Sequence, residues 1–498
     1  MVDHEDGSPV VLGVHGLKGA AFLAVCDGAE LLVEEAIWHR IKSAELTFEA
    51  LLRAGAAVYG VTTAYGAASG RQILPAEQTD FQMATIRSHA CGTGPSLARP
   101  WARGVWLAKI LSISTGLTGA RVAVVESMVA LLNAGFAPVV PRTGSLGASG
   151  DLVPSGHAAL ALLGEGQVLR RDGSTIAASA ALEEARVSVV ELGPRDGLSL
   201  VNGTAVTASL AAHVCAETAQ LLVASEWVAM GGLEALGGHV EAFGPTIVGA
   251  RAHPGAVATA ASLRHALAGV GPARLGRQGL HDPYCWRCIP QVHGAARDAY
   301  GWAWSTCEIE LASCTDNPLV TDDGAVASGG NFHGAPLGLT ADTLRLAVGE
   351  VAALSRQRTA HLTAALARGG GDEPVEGVGL TMVLTTATAS LMEIASTGIG
   401  TGHWLPVDSV EDHVPNATIA ALHALDVLAH ARAVLAAEAV ATAVLLQRGG
   451  ATPTSAGGKW LLGLAGGSIG TLRLDQPLSH VLEGLAAALA ASDLPAPQ

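Results

Sequence analysis

Ser149 lies among unusually small residues, and it is the first side chain of the sequence that could carry chemistry. Residues 144–152 read Gly-Ser-Leu-Gly-Ala-Ser-Gly-Asp-Leu, with three glycines and no bulky side chain beside Ser149. Such a segment is also typical of a tight turn before a helix. The residue types alone do not decide between a tight turn and a reactive loop.

Four thiols offer a second kind of chemistry. Cys285 and Cys288 form a CxxC pair, and Cys307 and Cys314 follow, so we compared them with the spacing of zinc sites. Six residues separate the second pair and its flanks look helical, which favours structural thiols and predicts no metal. The seven cysteines begin at Cys26, and their odd number fits a reducing compartment better than a disulfide framework.

Composition excludes several classes of protein. The 498 residues include 29 Lys and Arg against 44 Asp and Glu, a net charge of −15, and no basic block. This excludes an electrostatic binder of DNA or RNA. Charges such as Glu126 and Glu226 interrupt the long apolar stretches. The acidic start, Met1 to Asp6, differs from the basic start of a signal peptide, so we expect a soluble cytoplasmic protein.

Long Ala- and Leu-rich segments must hold these side chains in place. Residues 1–105 mix helix, strand and turn signals, and we predict a small head there, followed by an elongated helical domain over 106–498 that carries loop 144–152. Helices with so little polar surface must be covered on several faces, which predicts a bundle and an oligomer. The predicted helices are 117–135, 204–236, 255–270, 337–368, 380–398 and 416–447. The predicted loops are 136–158, 190–204, 271–292, 324–336 and 400–416.

The loop also forms part of a larger set of motifs. With Val153-Pro154 and Leu162-Leu163-Gly164-Glu165-Gly166 it resembles the signature of the aromatic amino acid ammonia-lyase family, which includes histidine, phenylalanine and tyrosine ammonia-lyases and related aminomutases. The resemblance implies a mainly α fold of the ammonia-lyase and fumarase type, with a mixed α+β N-terminal head and a long central bundle. Six further blocks recur in the family's order: Tyr59–Thr63, Leu200–Thr204, Asp282–Tyr284 with Arg287 and Pro290-Gln291, Thr315–Pro318, Gly329–His333 and Glu411–His413.

The resemblance implies a prosthetic group made from the chain itself. In this family the triplet that corresponds to Ala148, Ser149 and Gly150 cyclises to 4-methylideneimidazole-5-one (MIO), and no external cofactor or metal is needed. Because Gly150 has no Cβ, its nitrogen can approach the Ala148 carbonyl carbon. Loss of water from the ring and from Ser149 then leaves an electrophilic methylidene, which no standard side chain supplies.

Roles for the other residues follow from the same resemblance. Tyr59 is the base that removes the β proton, which requires a phenolate although phenols have a pKa of about 10. Arg287 clamps the substrate carboxylate, because its planar fork binds both oxygens. Asn202 and Tyr284 stand beside the prosthetic group, where Asn202 can donate to the ring oxygen. Phe332 forms a wall of the pocket. A purely structural role stays open for Tyr59, Asn202 and Phe332.

Two polar residues point to the substrate. His89 stands three residues before Gly92, as in the histidine branch, and Glu411 matches a glutamate of that branch. Both can hydrogen-bond an imidazole, whereas a benzene ring leaves each unpaired at about 1–3 kcal/mol. We expect L-histidine to be converted to trans-urocanate, although hydrogen bonds to neighbouring backbone stay an alternative for both residues. Three residues near the expected pocket differ from the histidine branch, and they favour a specialised substrate: Ala205, His281 and Val410. We count His281 among the substrate-binding residues.

Other functions share these motifs. A 2,3-aminomutase would use the same group and Tyr59, and a lyase could act on tyrosine, phenylalanine or a specialised substrate. An inactive helical scaffold is a third alternative, which the presence of all the catalytic residues disfavours. The family assembles as homotetramers whose pockets contain residues from more than one chain, in agreement with the apolar helix faces.

Overall fold

The computed structural model describes residues 8–271, 275–276, 279–321, 323–369, 374–401, 411–448, 452–470, 477–492 and 494. The chain forms two compact units that are each discontinuous in sequence. The first comprises Met1–His213, Trp304–Ala341 and Ile399–Leu422, and the second comprises Val214–Ala303, Asp342–Gly398 and His423–Gln498. The predicted head, by contrast, is one continuous segment, and its boundary at residue 105 stays a prediction.

Helices supply most of the first unit. A short parallel pair of strands, β1 (Val10–Leu12) and β2 (Leu31–Val33), is connected through α1 (Gly19–Asp27). The other strands are β3 (Thr93–Ser96), β4 (Ala137–Pro138), β5 (Pro141–Thr143), β6 (Gln167–Leu169), β7 (Thr175–Ala177), β8 (Leu319–Val320) and β9 (Val326–Ala327), which pair antiparallel as β3-β5, β4-β6-β7 and β8-β9. The helices are α2 (Glu35–Arg53), α3 (Gln78–His89), α4 (Arg99–Ser114), α5 (Val122–Asn133), α6 (Leu152–Leu160), α7 (Ala178–Ala185) and α8 (Asp196–Val201).

Four long helices have residues in both units: α9 (Ala205–Leu236), α13 (Ile289–Leu311), α14 (Ala335–Gly369) and α16 (Ala417–Arg448). The remaining helices belong to the second unit: α10 (Pro245–Gly249), α11 (Pro254–Ala266), α12 (Tyr284–Arg287), α15 (Pro374–Ser396), α17 (Ala456–Gly470) and α18 (Ser479–Ala490). The mainly α fold and the predicted long helices are confirmed, with ends that differ by a few residues.

Buried ion pairs join the long helices of the second unit. Arg297 of α13 donates to both oxygens of Glu226 in α9, at 3.1 and 2.7 Å. Arg358 of α14 donates to Glu438 of α16, at 2.6 and 2.9 Å. Removing one partner of such a pair typically costs about 3–5 kcal/mol, because the other charge stays buried. These charges therefore specify which helices pack together in an otherwise apolar core.

Among the described residues, α9 and α16 are long and apolar enough to cross a membrane. However, 83% and 78% of their apolar windows are buried inside the protein, as in the core helices of a globular enzyme.

Four segments that we predicted as loops contain regular structure. Residues 136–158 include β4, β5 and most of α6, 190–204 include α8, 271–292 include α12 and the start of α13, and 324–336 include β9 and the start of α14. These predictions were based on the abundance of Gly, Pro, Asn and Asp, and for α6 and α8 they were wrong because glycine serves close packing there. A Cβ on Gly156 of α6 would lie 3.1 Å from the backbone of His89, and one on Gly197 of α8 would lie 2.6 Å from the Gln82 carbonyl oxygen. Glycine lets α6 and α8 pack closely against α3.

Candidate active site

The loop of residues 144–152 joins β5 to α6 and is folded tightly on itself. Gly147 and Gly150 have φ values of +78° and +85°, and the Gly150 N–H donates to the Gly147 carbonyl oxygen at 3.3 Å. The backbone of Gly203 lies directly against Gly150, so a Cβ there would be 2.3 Å from the Gly203 carbonyl oxygen. Only glycine fits at position 150, both in conformation and in space.

Two donors converge on the carbonyl oxygen of Ser149. The Asn202 side-chain nitrogen lies 3.2 Å from this oxygen, and the Gly203 N–H donates to it at 3.4 Å. The other side-chain atom, Asn202 Oδ1, is buried without a hydrogen-bond partner in the described part of the chain. The arrangement can stabilise negative charge on one backbone oxygen, as an oxyanion hole does.

The hydroxyl of Ser149 has a different partner from its carbonyl oxygen. It donates to Glu411 Oε1 at 2.9 Å. Ala148 and Ser149 are partly exposed, whereas Gly150 is buried. The reactive face of the loop is therefore open to a small molecule and bordered by a carboxylate.

Asp151 fixes the end of the loop. Its buried carboxylate accepts hydrogen bonds from Thr207 N at 2.7 Å, Thr207 Oγ1 at 2.9 Å, Thr418 Oγ1 at 2.6 Å and Ser145 Oγ at 3.2 Å. The Asp151 N–H donates to the Gly203 carbonyl oxygen at 2.8 Å. Four donors satisfy a carboxylate that would otherwise be costly to bury.

Tyr59 is half-buried in a turn before α3. Its phenol oxygen accepts a hydrogen bond from the Gly66 N–H at 2.9 Å, and its ring meets the edge of Tyr65 with centroids 5.9 Å apart. Tyr65 Oη lies 3.0 Å from Thr85 Oγ1, and burial raises the pKa of Tyr65 to about 12. Tyr65 therefore stays a neutral phenol, while Tyr59 has a backbone donor that would stabilise a phenolate.

His89 ends α3, and its side chain is held by the helix itself. Nδ1 lies 2.7 Å from the Thr85 carbonyl oxygen, so Nδ1 carries the proton of this hydrogen bond and Nε2 takes no part in it. The alternative that His89 hydrogen-bonds to nearby backbone thus applies to Nδ1. The other nitrogen can still contact a ligand.

The segments around residues 332 and 411 meet through two histidines. Phe332 is half-buried, and next to it His333 Nε2 lies 3.0 Å from His413 Nδ1. Burial, and then His413, lower the pKa of His333. One of these two imidazoles must be neutral to accept the hydrogen bond, and the pair connects the Phe332 segment to that of Glu411.

The remaining predicted site residues belong to the second unit. The Arg287 guanidinium carbon lies 5.0 Å from the centroid of the Tyr284 ring, a cation–π contact within α12. Tyr284 is 71% exposed, and Arg287 Nε has no hydrogen-bond partner within the described ranges. His281 is exposed. Of the other departures that we noted, Ala205 is buried at the start of α9, and Val410 lies outside the described residues.

The cysteines are free, and burial raises the pKa of Cys285 to about 11. In the described ranges, no group of three or more His, Cys, Asp or Glu side chains could hold a metal ion.

The sequence profile of the aromatic amino acid lyase family matches residues 17–459. The chain belongs to this family. It is a carbon–nitrogen lyase that acts on amino acids. The lyase is 39% identical over 398 residues to the histidine ammonia-lyase of Geobacillus kaustophilus (strain HTA426), covering 78% of each chain. It is 38% identical over 429 residues to that of Deinococcus radiodurans, covering 84% of the lyase and 82% of the relative.

Solved structures have the same fold as the lyase. Tyrosine aminomutase from Streptomyces globisporus is 28% identical and matches with a TM-score of 0.90, covering 97% of both chains. Histidine ammonia-lyase from Trypanosoma cruzi is 26% identical and matches with a TM-score of 0.87, covering 97% of the lyase and 93% of that chain.

Among the predicted site residues, Ser149 forms hydrogen bonds with both Asn202 and Glu411. Thr85 contacts the hydroxyl of Tyr65, the neighbour of Tyr59, and also the ring of His89. The sequence reading missed the Gly203 N–H, the donors around Asp151, and Lys109, whose ammonium donates to the Asn202 carbonyl oxygen at 2.5 Å. A signal for Lys109 was available, because it is a single charge in the apolar run Gly104–Leu111. Backbone donors carry no such signal in the side-chain pattern.

Proposed function

We propose that the lyase converts L-histidine to trans-urocanate with an MIO group formed from Ala148, Ser149 and Gly150. The observation that carries the proposal is the Glu411 carboxylate, 2.9 Å from the Ser149 hydroxyl. It provides an acceptor for an imidazole N–H beside the triplet. The similar histidine ammonia-lyases, at 33–39% identity, support the same substrate.

The residues around the triplet fit an MIO group. Ring closure would join the Gly150 nitrogen to the Ala148 carbonyl carbon, so the Ser149 carbonyl oxygen would become the ring oxygen. That oxygen already has two donors, Asn202 Nδ2 and the Gly203 N–H. Gly150 also lies where no Cβ fits.

Different side chains would have different roles in the elimination of ammonia. An MIO group supplies the electrophilic carbon that standard side chains lack. The Tyr59 phenolate takes the β proton, and the Gly66 N–H at 2.9 Å stabilises its charge. Arg287 binds the substrate carboxylate with its planar fork.

The remaining residues orient the substrate. His89 Nε2 and Glu411 bind the nitrogens of the imidazole. Tyr284 lies beside the reacting group, and Phe332 forms a wall. His281 contacts the substrate and influences which amino acid the enzyme accepts.

We also propose a cytoplasmic homotetramer with shared pockets, which uses no metal and no external cofactor. The exposed ring of Tyr284 supports a pocket that another copy of the chain completes. The free cysteines support a reducing compartment.

A panel of amino acids tests the substrate directly. We expect ultraviolet absorbance of the conjugated acid to rise fastest with L-histidine. Intact mass should show a chain that has lost two water molecules, and Ser149→Ala should abolish both this loss and turnover while the protein still folds. Turnover by Ser149→Ala would contradict the mechanism, and faster turnover of tyrosine or phenylalanine would contradict the substrate.

A 2,3-aminomutase is the second candidate, and the TM-score of 0.90 with a tyrosine aminomutase favours it. Chromatography of the products separates the two functions. A β-amino acid would support the aminomutase, and an unsaturated acid with free ammonia would support the lyase.

A further inference from the structure

Lys109 is buried in the middle of α4 and contacts the active-site loop indirectly. It is 4% exposed, and its Nζ donates to the Asn202 carbonyl oxygen at 2.5 Å. Burial lowers the pKa of Lys109, and the carboxylates of Asp316 and Asp151 oppose that shift. A buried ammonium is costly unless it has a compensating partner, so this contact with a backbone oxygen needs an explanation.

Neutralising a carboxylate is not the explanation. Asp316 already pairs with Arg195 at 2.9 Å and accepts the Ser199 hydroxyl at 2.7 Å. Asp151 has its own four donors. Within the described part of the chain, Lys109 forms no ion pair of 4 Å or less, and its hydrogen bond goes to a peptide group.

That peptide group connects Lys109 to Ser149. The ammonium binds the oxygen of the Asn202–Gly203 peptide, and the N–H of the same peptide donates to the Ser149 carbonyl oxygen at 3.4 Å. Hydrogen bonds at both ends of an amide polarise it, so each bond strengthens the other. When Lys109 is protonated, its charge on one side of the peptide makes Gly203 a better donor on the other.

We propose that Lys109 is a positioning residue that acts through the Asn202–Gly203 peptide to stabilise negative charge on the Ser149 carbonyl oxygen while Ser149 loses its hydroxyl. In that elimination the Cα–H bond breaks, its electron pair forms the Cα=Cβ double bond, and the Cβ–Oγ bond breaks. The departing proton and hydroxide leave together as one water, so no other reactant is needed. Negative charge develops on the adjacent carbonyl oxygen, which Gly203 and Asn202 face.

The inference rests on the proposed formation of the MIO group and is tested on the chain before any substrate is added. Lys109→Met removes the charge and the donor, and leaves an unbranched side chain that is one atom shorter. Chains made by cell-free synthesis would be sampled over time, and the intact mass of the folded fraction measured. We expect the species that has lost only one water to accumulate in Lys109→Met, with elimination slowed at least about 10-fold, and Lys109→Arg to restore the loss of both waters.

Arg103→Met is the matched control, because Arg103 is a buried basic residue of the same helix, and among the described residues it donates to the backbone carbonyls of Val25, Cys26, Leu132 and Phe136, none of which belongs to the loop. Its folded fraction should lose two waters at the rate of the unmodified chain. If Lys109→Met does not fold, Lys109→Gln decides the question, since it keeps a donor and removes the charge.

The masses distinguish failure of the role of Lys109 from failure of the proposed MIO group. Loss of both waters at the unmodified rate in the folded Lys109→Met or Lys109→Gln chain would overturn the role of Lys109 alone. An unmodified chain that loses no water would instead overturn the proposed MIO group.

Discussion

Ser149 and Glu411 are 262 positions apart in the sequence, yet the serine hydroxyl donates to the glutamate carboxylate at 2.9 Å. The carbonyl oxygen of the same serine accepts hydrogen bonds from Asn202 Nδ2 and the Gly203 N–H. The two polar groups of one serine are thus bound by different segments. Under the proposed function, one segment would act on the triplet and the other on the substrate.

Glu411→Gln should reduce turnover of histidine selectively. The amide keeps an acceptor but loses the charge, and a hydrogen bond to a charged group contributes about 1.5–3 kcal/mol. We expect kcat/KM for histidine to fall by about 10-fold to 100-fold, and any slow turnover of phenylalanine to be unchanged or faster. The control is Glu35→Gln at an exposed site on α2. Unchanged histidine kinetics would reject the imidazole contact.

Gly150→Ala should prevent cyclisation because a methyl group would collide with the Gly203 carbonyl oxygen at 2.3 Å. Gly173→Ala is a closely matched control, since Gly173 has a φ of +83° and nothing within 4 Å of its added Cβ. The backbone penalty of about 1–2 kcal/mol is common to both. Intact mass should show no loss of water in Gly150→Ala and the loss of two in Gly173→Ala. Loss of two waters in both variants would show that the close contact is unimportant.

Tyr59→Phe should separate formation of the prosthetic group from turnover. The described hydrogen bonds of Tyr59 do not include the loop, so we expect the mass of the mature chain, whereas loss of the base should slow turnover by about 10²–10⁴-fold. Tyr65→Phe removes a hydroxyl from the neighbouring ring and with it the contacts with Thr85 and Gln82. Its turnover should be close to that of the unmodified enzyme. A Tyr59→Phe enzyme of full activity would exclude this phenol as the base.

His213 should make the protein less stable in acid. Burial lowers its pKa from 6.5 to about 4, and the hydrogen bond from Nδ1 to the Ser209 carbonyl oxygen opposes this shift only in part. Nε2 is buried without a partner among the described residues. As pH falls below 6.5 the unfolded chain binds a proton that the folded chain binds only near 4, so its contribution reduces stability across that window.

The measurement is urea unfolding of the unmodified protein and of His213→Leu at about pH 7 and about pH 4.5. The unmodified protein should lose about 2–3 kcal/mol more than the variant on acidification. Equal losses would show that His213 already carries its proton in the folded state.

Much of the fold could be predicted from local sequence. Long Ala- and Leu-rich runs form helices such as α9 and α16 because they consist largely of strong helix formers and are apolar on all faces, as buried helices are. The short helices α6 and α8 could not be predicted in this way. Their glycines are required by the close approach of α3, a tertiary contact that local propensity does not contain.

The sequence by itself determined the family, the reactive triplet and the types of residue that surround it, because motif order and side-chain chemistry are properties of the chain. Only the tertiary structure decided that the Ser149 carbonyl oxygen has two donors and that the Ser149 hydroxyl binds a carboxylate. It also decided that the buried Lys109 binds the Asn202–Gly203 peptide. These contacts join segments far apart in sequence, and several use backbone N–H and C=O groups. Every residue except proline carries both groups, so no pattern of side chains reveals which of them meet.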